Sequence, residues 1–104
     1  MAGRHLYIIQ SRSTGAVKVG RSDDPERRIH QLQTGSPHEL RLILTMPDGG
    51  RREPHVHKHM LGHETRHVNG GEWFHESGLG DVPADVWTHA MPWYLEDPDW
   101  WRRR

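Results

Sequence analysis

The chain has no cysteine. Disulfides and thiolate chemistry are therefore excluded, and the composition fits a reducing compartment. No apolar run approaches the roughly 18 residues needed to span a membrane. The start lacks the basic, apolar and small-residue succession of a secretory signal, so a cytoplasmic location is the expectation. Excess charge is missing too: 14 Lys and Arg balance 14 Asp and Glu. Bulk charge therefore supplies no attraction to nucleic acid. Apolar residues are scarce, at 33% of 104 residues, which bounds the chain to one small domain with a modest core. Nothing repeats internally.

What charge there is lies unevenly. Residues 1–30 hold six Lys or Arg (Arg4, Arg12, Lys18, Arg21, Arg27, Arg28) against three acids (Asp23, Asp24, Glu26). Residues 70–101 hold seven acids and no Lys or Arg. The basic first third is where a phosphate backbone would dock. The plain alternative is a mixed, solvated surface.

The segment from Val17 to Gln33 reads as a strand ending in Gly20, a turn and a helix. Asp23 or Asp24 caps that helix and Pro25 suits its first turn. Ile29 and Leu32 give it an apolar edge, and Gly35-Ser36-Pro37 stops it. Upstream, His5 to Gln10 alternates as a strand, with Ala16 to Gly20 as its hairpin partner. If Leu6, Ile8, Val17 and Val19 share the core face, Tyr7 and Lys18 emerge together on the other. Leu40 to Met46 is a third strand, apolar enough to lie centrally in a small sheet, between the others or beside one of them. A helix starts near Arg51 or Arg52, with Pro54 in its first turn, and ends by Gly62. Asn69-Gly70-Gly71 reads as a turn before the aromatic Trp73-Phe74. Asp81 to Met91 reads as one more helix, capped by Asp81, with Val82, Val86 and Ala90 inward. The tail PWYLEDPDWWRRR either wraps the domain or meets a partner; wrapping suits a small domain short of core.

Tyr7 on the first strand, VKVG ending the second at Gly20, Arg28 eight residues beyond that glycine, Glu53 on a later helix, and the run Gly71-Glu72-Trp73-Phe74 occur in an order that resembles the GIY-YIG nuclease superfamily. The nearest branch is the one named after a meiotically up-regulated gene and a phage T5 open-reading-frame domain. The resemblance spans roughly residues 5–75 and implies an α/β (α+β) domain with a three-stranded, mainly antiparallel sheet flanked by helices. The expected organisation is a nuclease-like unit over residues 1–76, with residues 77–104 packing on it as a C-terminal helix and Trp/Arg-rich tail.

The resemblance also implies roles. Tyr7 and Lys18 would manage an attacking water, Arg28 would hold the scissile phosphate through its planar fork of donors, and Glu53 would hold a divalent metal. Mg²⁺ is the expected ion, with Mn²⁺ as its substitute, because a hard cation is satisfied by one or two carboxylates and water. His57, one turn after Glu53, would move a proton or bond the metal waters. Arg21 and Arg27 would meet the DNA backbone. Gly20, Glu72, Trp73 and Phe74 complete the signature, the two aromatics as core closure.

Each residue also has a plainer reading. Glu53 is a favourable acid at a helix start. Arg28 is a solvated helix arginine near Asp24. Tyr7 is a half-buried strand tyrosine. Two positions depart from the superfamily pattern: Lys18 stands where Tyr is usual, and Leu32, one turn after Arg28, where Tyr or His is frequent. His59, His63 and His67 are spaced four apart, which on an unbroken helix offers a zinc site, but Gly62 interrupts that helix. The leading expectation is a metal-dependent DNA endonuclease. The alternatives are a nucleic-acid-binding module on the same scaffold and a protein-interaction domain using the Trp-rich tail.

Overall fold

A computed structural model describes residues 4–65 and 73–103. The expectations placed on His67, on the turn at residues 69–71 and on Glu72 lie outside the described residues.

Three long strands form the body of one sheet: β1 (His5–Ser11), β2 (Val17–Ser22) and β3 (Leu40–Met46). β1 is central and pairs antiparallel with both neighbours. The three-stranded expectation is corrected by two further strands, β4 (Glu64–Thr65) and β5 (Trp73–Phe74). They extend the sheet in the order β3-β1-β2-β5-β4. Strands of two residues show no alternation, so nothing in their own sequence announces them.

The hairpin register sets Tyr7 opposite Gly20 and Ile9 opposite Lys18. Period two then divides the sheet. Leu6, Ile8, Val17 and Val19 join the larger core with Val56, Met60, Phe74, Val86 and Tyr94. Tyr7, Ile9, Ala16, Leu40, Leu42 and Trp73 form a second, smaller core on the other face. The β1–β3 register shifts between Ile8 and Ile9, which face Leu44 and Leu42. The bulge at Ile43 lets three consecutive residues, Leu42, Ile43 and Leu44, all be buried. β3 takes the place beside β1 at the edge of the sheet, and it is apolar because both of its faces are covered. Beyond it, Ala90 bridges Leu44, and the Met91 amide donates to the Ile43 carbonyl at 2.8 Å.

Helix α1 (Pro25–Thr34) begins where expected: the Asp24 carboxylate accepts from the Arg27 amide at 3.1 Å, and Pro25 occupies the first turn. Ile29 and Leu32 pack on the smaller core. Helix α2 (Glu53–His59), entered through a 3-10 turn at Gly50–Arg52, has Pro54 in its first turn and seats Val56 in the larger core. Arg52 fastens this entry by a two-pronged pair with Asp85, 2.5 and 3.2 Å. The pairing holds the Asp85 carboxyl below and the Arg52 guanidinium above their ordinary values.

The expected helix over Asp81 to Met91 is divided. A 3-10 segment, Glu76–Asp81, precedes a short α3 (Ala84–Trp87). Val82 is extended (φ −67°, ψ 131°) because it precedes Pro83, which disfavours helical geometry at that residue. Val82, Val86 and Ala90 are nevertheless all buried. The tail folds into α4 (Pro92–Glu96) and a 3-10 turn at Trp100–Arg102. Tyr94 and Trp100 enter the larger core, and Trp93 and Trp101 pack against it. Among the described residues no helix is long and apolar enough to cross a membrane.

Candidate nucleic-acid site

The first group of candidate residues gathers on the β1–β2 hairpin. Tyr7 is 3% exposed, and its ring fills the space above Gly20. A Cβ built on Gly20 would overlap the Tyr7 Cζ and Oη atoms. A side chain there would displace the phenol, which is the physical reason for a glycine at this position of β2. Lys18, half-buried, stands on the same face of the hairpin, in register with Ile9.

Arg27 and Arg28 are both exposed on α1. Arg28 Nη1 donates to Gln31 Oε1 at 3.4 Å, a weak bond along its own helix. Arg27 lies 4.0 Å from Asp23. The plain reading paired Arg28 with Asp24, whereas Asp24 serves as the helix cap. An exposed pair such as Arg27–Asp23 contributes little, so both guanidinium groups remain available to a phosphate.

Glu53 opens α2, and its side chain is 25% exposed. Arg21, one residue past Gly20, approaches it with Nε 3.8 Å from Oε2. This contact joins the end of β2 to the start of α2. Arg21 was expected on the DNA backbone alone, and its position beside Glu53 depends on packing between distant segments that no local pattern announces.

His57 has a definite structural bond. Its Nε2 lies 2.9 Å from the Val19 carbonyl oxygen. A carbonyl only accepts, so Nε2 carries the hydrogen. The same ring meets Phe74 edge-on at 5.5 Å. His57 thus ties α2 to β2 and β5. Trp73 and Phe74 are both buried, on opposite faces of the sheet, and close the smaller and larger cores respectively.

The run of histidines does not form the stack an unbroken helix would give. α2 ends at His59, and Gly62 follows with φ +94°, a left-handed geometry that suits glycine. His63 turns instead to Ser77 (Nδ1–Oγ 3.0 Å) and Asp81 (Nε2–Oδ2 2.7 Å). Among the described residues no cluster of three or more His, Cys, Asp or Glu is placed to hold a metal. The donor set offered at Glu53 is one carboxylate open to water, which fits Mg²⁺ and does not fit a closed zinc centre.

The hairpin, the arginine helix and the acid-bearing helix α2 belong to one small α+β domain. The sequence model of the T5orf172 domain matches residues 4–94, and the chain belongs to that family. Neither a curated protein nor a solved structure matches the chain.

Proposed function

We propose that the protein is a GIY-YIG-type endonuclease that hydrolyses DNA phosphodiester bonds with Mg²⁺, or Mn²⁺ in its place. The observation that carries this reading is the hairpin register. It sets Tyr7 over Gly20 and Lys18 on the same face, in a chain whose family membership is established. Tyr7 and Lys18 orient and deprotonate the attacking water. Arg28 takes the scissile phosphate, and Arg27 a neighbouring one. Glu53 holds the metal, which when bound supplies charge for the phosphoryl and leaving oxygens. Arg21, whose Nε lies 3.8 Å from Glu53 Oε2, stands beside the same site and would pair with the DNA backbone there. His57 keeps α2, and with it Glu53, in register with β2.

A second reading has a specific observation behind it. Leu32, one turn beyond Arg28, packs on the smaller core. No polar side chain is then presented at that point, and the scaffold would bind nucleic acid without cutting it. The third reading, docking through the tail, is weakened by the burial of Tyr94 and Trp100.

One experiment separates the first two. Wild type, Glu53→Ala and Arg28→Ala are incubated with supercoiled, linear and branched DNA, in Mg²⁺, Mn²⁺ or EDTA. Nicking by wild type that vanishes in EDTA and in both variants supports the endonuclease. Binding without cleavage under every metal supports the binding module. In either case affinity should fall steeply with salt, because phosphate contacts release counterions.

A further inference from the structure

His55 and His59 stand one turn apart on α2, and both are exposed. Their Nε2 atoms lie 3.2 Å apart, and their rings meet edge to face with centroids 4.6 Å apart. Two neutral imidazoles hold this geometry by sharing a single hydrogen. The same separation is close to that of two ligands on one tetrahedral cation. Metal–nitrogen bonds of about 2.0–2.1 Å at a tetrahedral angle place the two nitrogens about 3.3–3.4 Å apart. To take up an ion, the imidazole that carries hydrogen on Nε2 shifts it to Nδ1, and both rings turn their Nε2 lone pairs toward the cation, with the two nitrogens already close to the required separation.

We propose that His55 and His59 form an open, two-imidazole site for a transition cation of the Zn²⁺ class, with water completing the coordination. Imidazole nitrogen suits Zn²⁺, Cu²⁺ and Ni²⁺, whereas Mg²⁺ takes oxygen. The site is thus chemically separate from the carboxylate of Glu53 and does not depend on the nuclease reading. The neighbouring histidines are engaged elsewhere: His57 on the Val19 carbonyl, His63 on Ser77 and Asp81. No third protein ligand joins among the described residues, so the ion is exchangeable rather than structural. A cation bridging residues four apart clamps a turn of a helix only seven residues long. Binding to the folded form alone then stabilises the helix that begins at Glu53.

The test is calorimetric titration of the full chain with ZnCl₂ at roughly pH 7.5, about one unit above the ordinary imidazole pKa. Wild type should bind Zn²⁺ at this site, and excess Mg²⁺ should not compete. His55→Ala and His59→Ala should each weaken that binding by about ten-fold or more. His89→Ala, at an exposed histidine elsewhere, should bind as wild type does. Nitrogen-detected NMR of the wild type gives a readout that needs no variant: the Nε2 resonances of His55 and His59 should shift together. Unchanged affinity in either variant, or shifts confined to other histidines, would overturn the proposal.

Discussion

Tyr7 occupies the space that any side chain at Gly20 would need. The two residues face each other across the β1–β2 hairpin, so the glycine is demanded by its partner strand rather than by its own backbone. Gly20→Ala should overpack the site and cost about 1–3 kcal/mol in urea unfolding. The same change in a Tyr7→Ala background should cost much less, because the obstruction has gone. Equal costs in the two backgrounds would mean that some other neighbour imposes the glycine.

The His57 bond to the Val19 carbonyl makes a second prediction. His57→Ala removes the donor and the edge contact with Phe74. It should lower unfolding free energy by about 1–3 kcal/mol with or without Mg²⁺. A proton-shuttling His57 with no structural part would instead leave stability unchanged while abolishing cleavage. Paired urea and cleavage measurements on this one variant distinguish the two roles.

Much of the hairpin was legible because its physics is local. Alternation in residues 5–10 and 16–20 separated the two faces; Asp23 or Asp24 with Pro25, and then Pro54, marked where the helices begin, and packing selected Asp24 as the cap. The split at Pro83 was also legible in principle, since the residue before a proline resists helical geometry. The short strands β4 and β5 were not, because two residues carry no period and their pairing depends on distant partners. The contact between Arg21 and Glu53 is hidden for the same reason: packing of α2 on β2 creates it. Family resemblance pointed to Tyr7, Lys18, Arg28 and Glu53 together, whereas local patterning alone left each with an ordinary structural explanation.

A buried relay fastens the tail to the hairpin. Trp100 Nε1 donates to Gln10 Oε1 at 2.7 Å, and Gln10 Nε2 donates to the Gly15 carbonyl at 2.9 Å. Gln10 is fully buried. Gln10→Leu preserves bulk but strands the indole N–H and the Gly15 carbonyl, so it should cost about 1–3 kcal/mol for each group left unpaired. Trp100→Ala should cost about 3–5 kcal/mol. The double variant should fall short of the sum, because each single change already breaks the shared bond. Strict additivity in denaturant unfolding would show that the relay is not an energetic unit.

The burial of Tyr94 ties part of the fold's stability to alkaline pH. Burial, reinforced by the negative charges of Glu76 and Asp99, pushes its phenol from an ordinary value of 10 up to about 12. The folded state therefore holds the proton more tightly than the unfolded chain does. The associated stability is fully present below pH 10 and is lost as the pH rises from 10 through about 12. Tyr94→Phe keeps the ring that meets Trp87 and Trp93 edge-on and removes the ionisable oxygen. Its thermal midpoint should decline less than that of wild type across this interval. Phenolate absorbance provides an independent check, since the chain has only two tyrosines and the variant leaves Tyr7 alone to titrate. Parallel declines for the two proteins would show that groups other than Tyr94 govern alkaline unfolding.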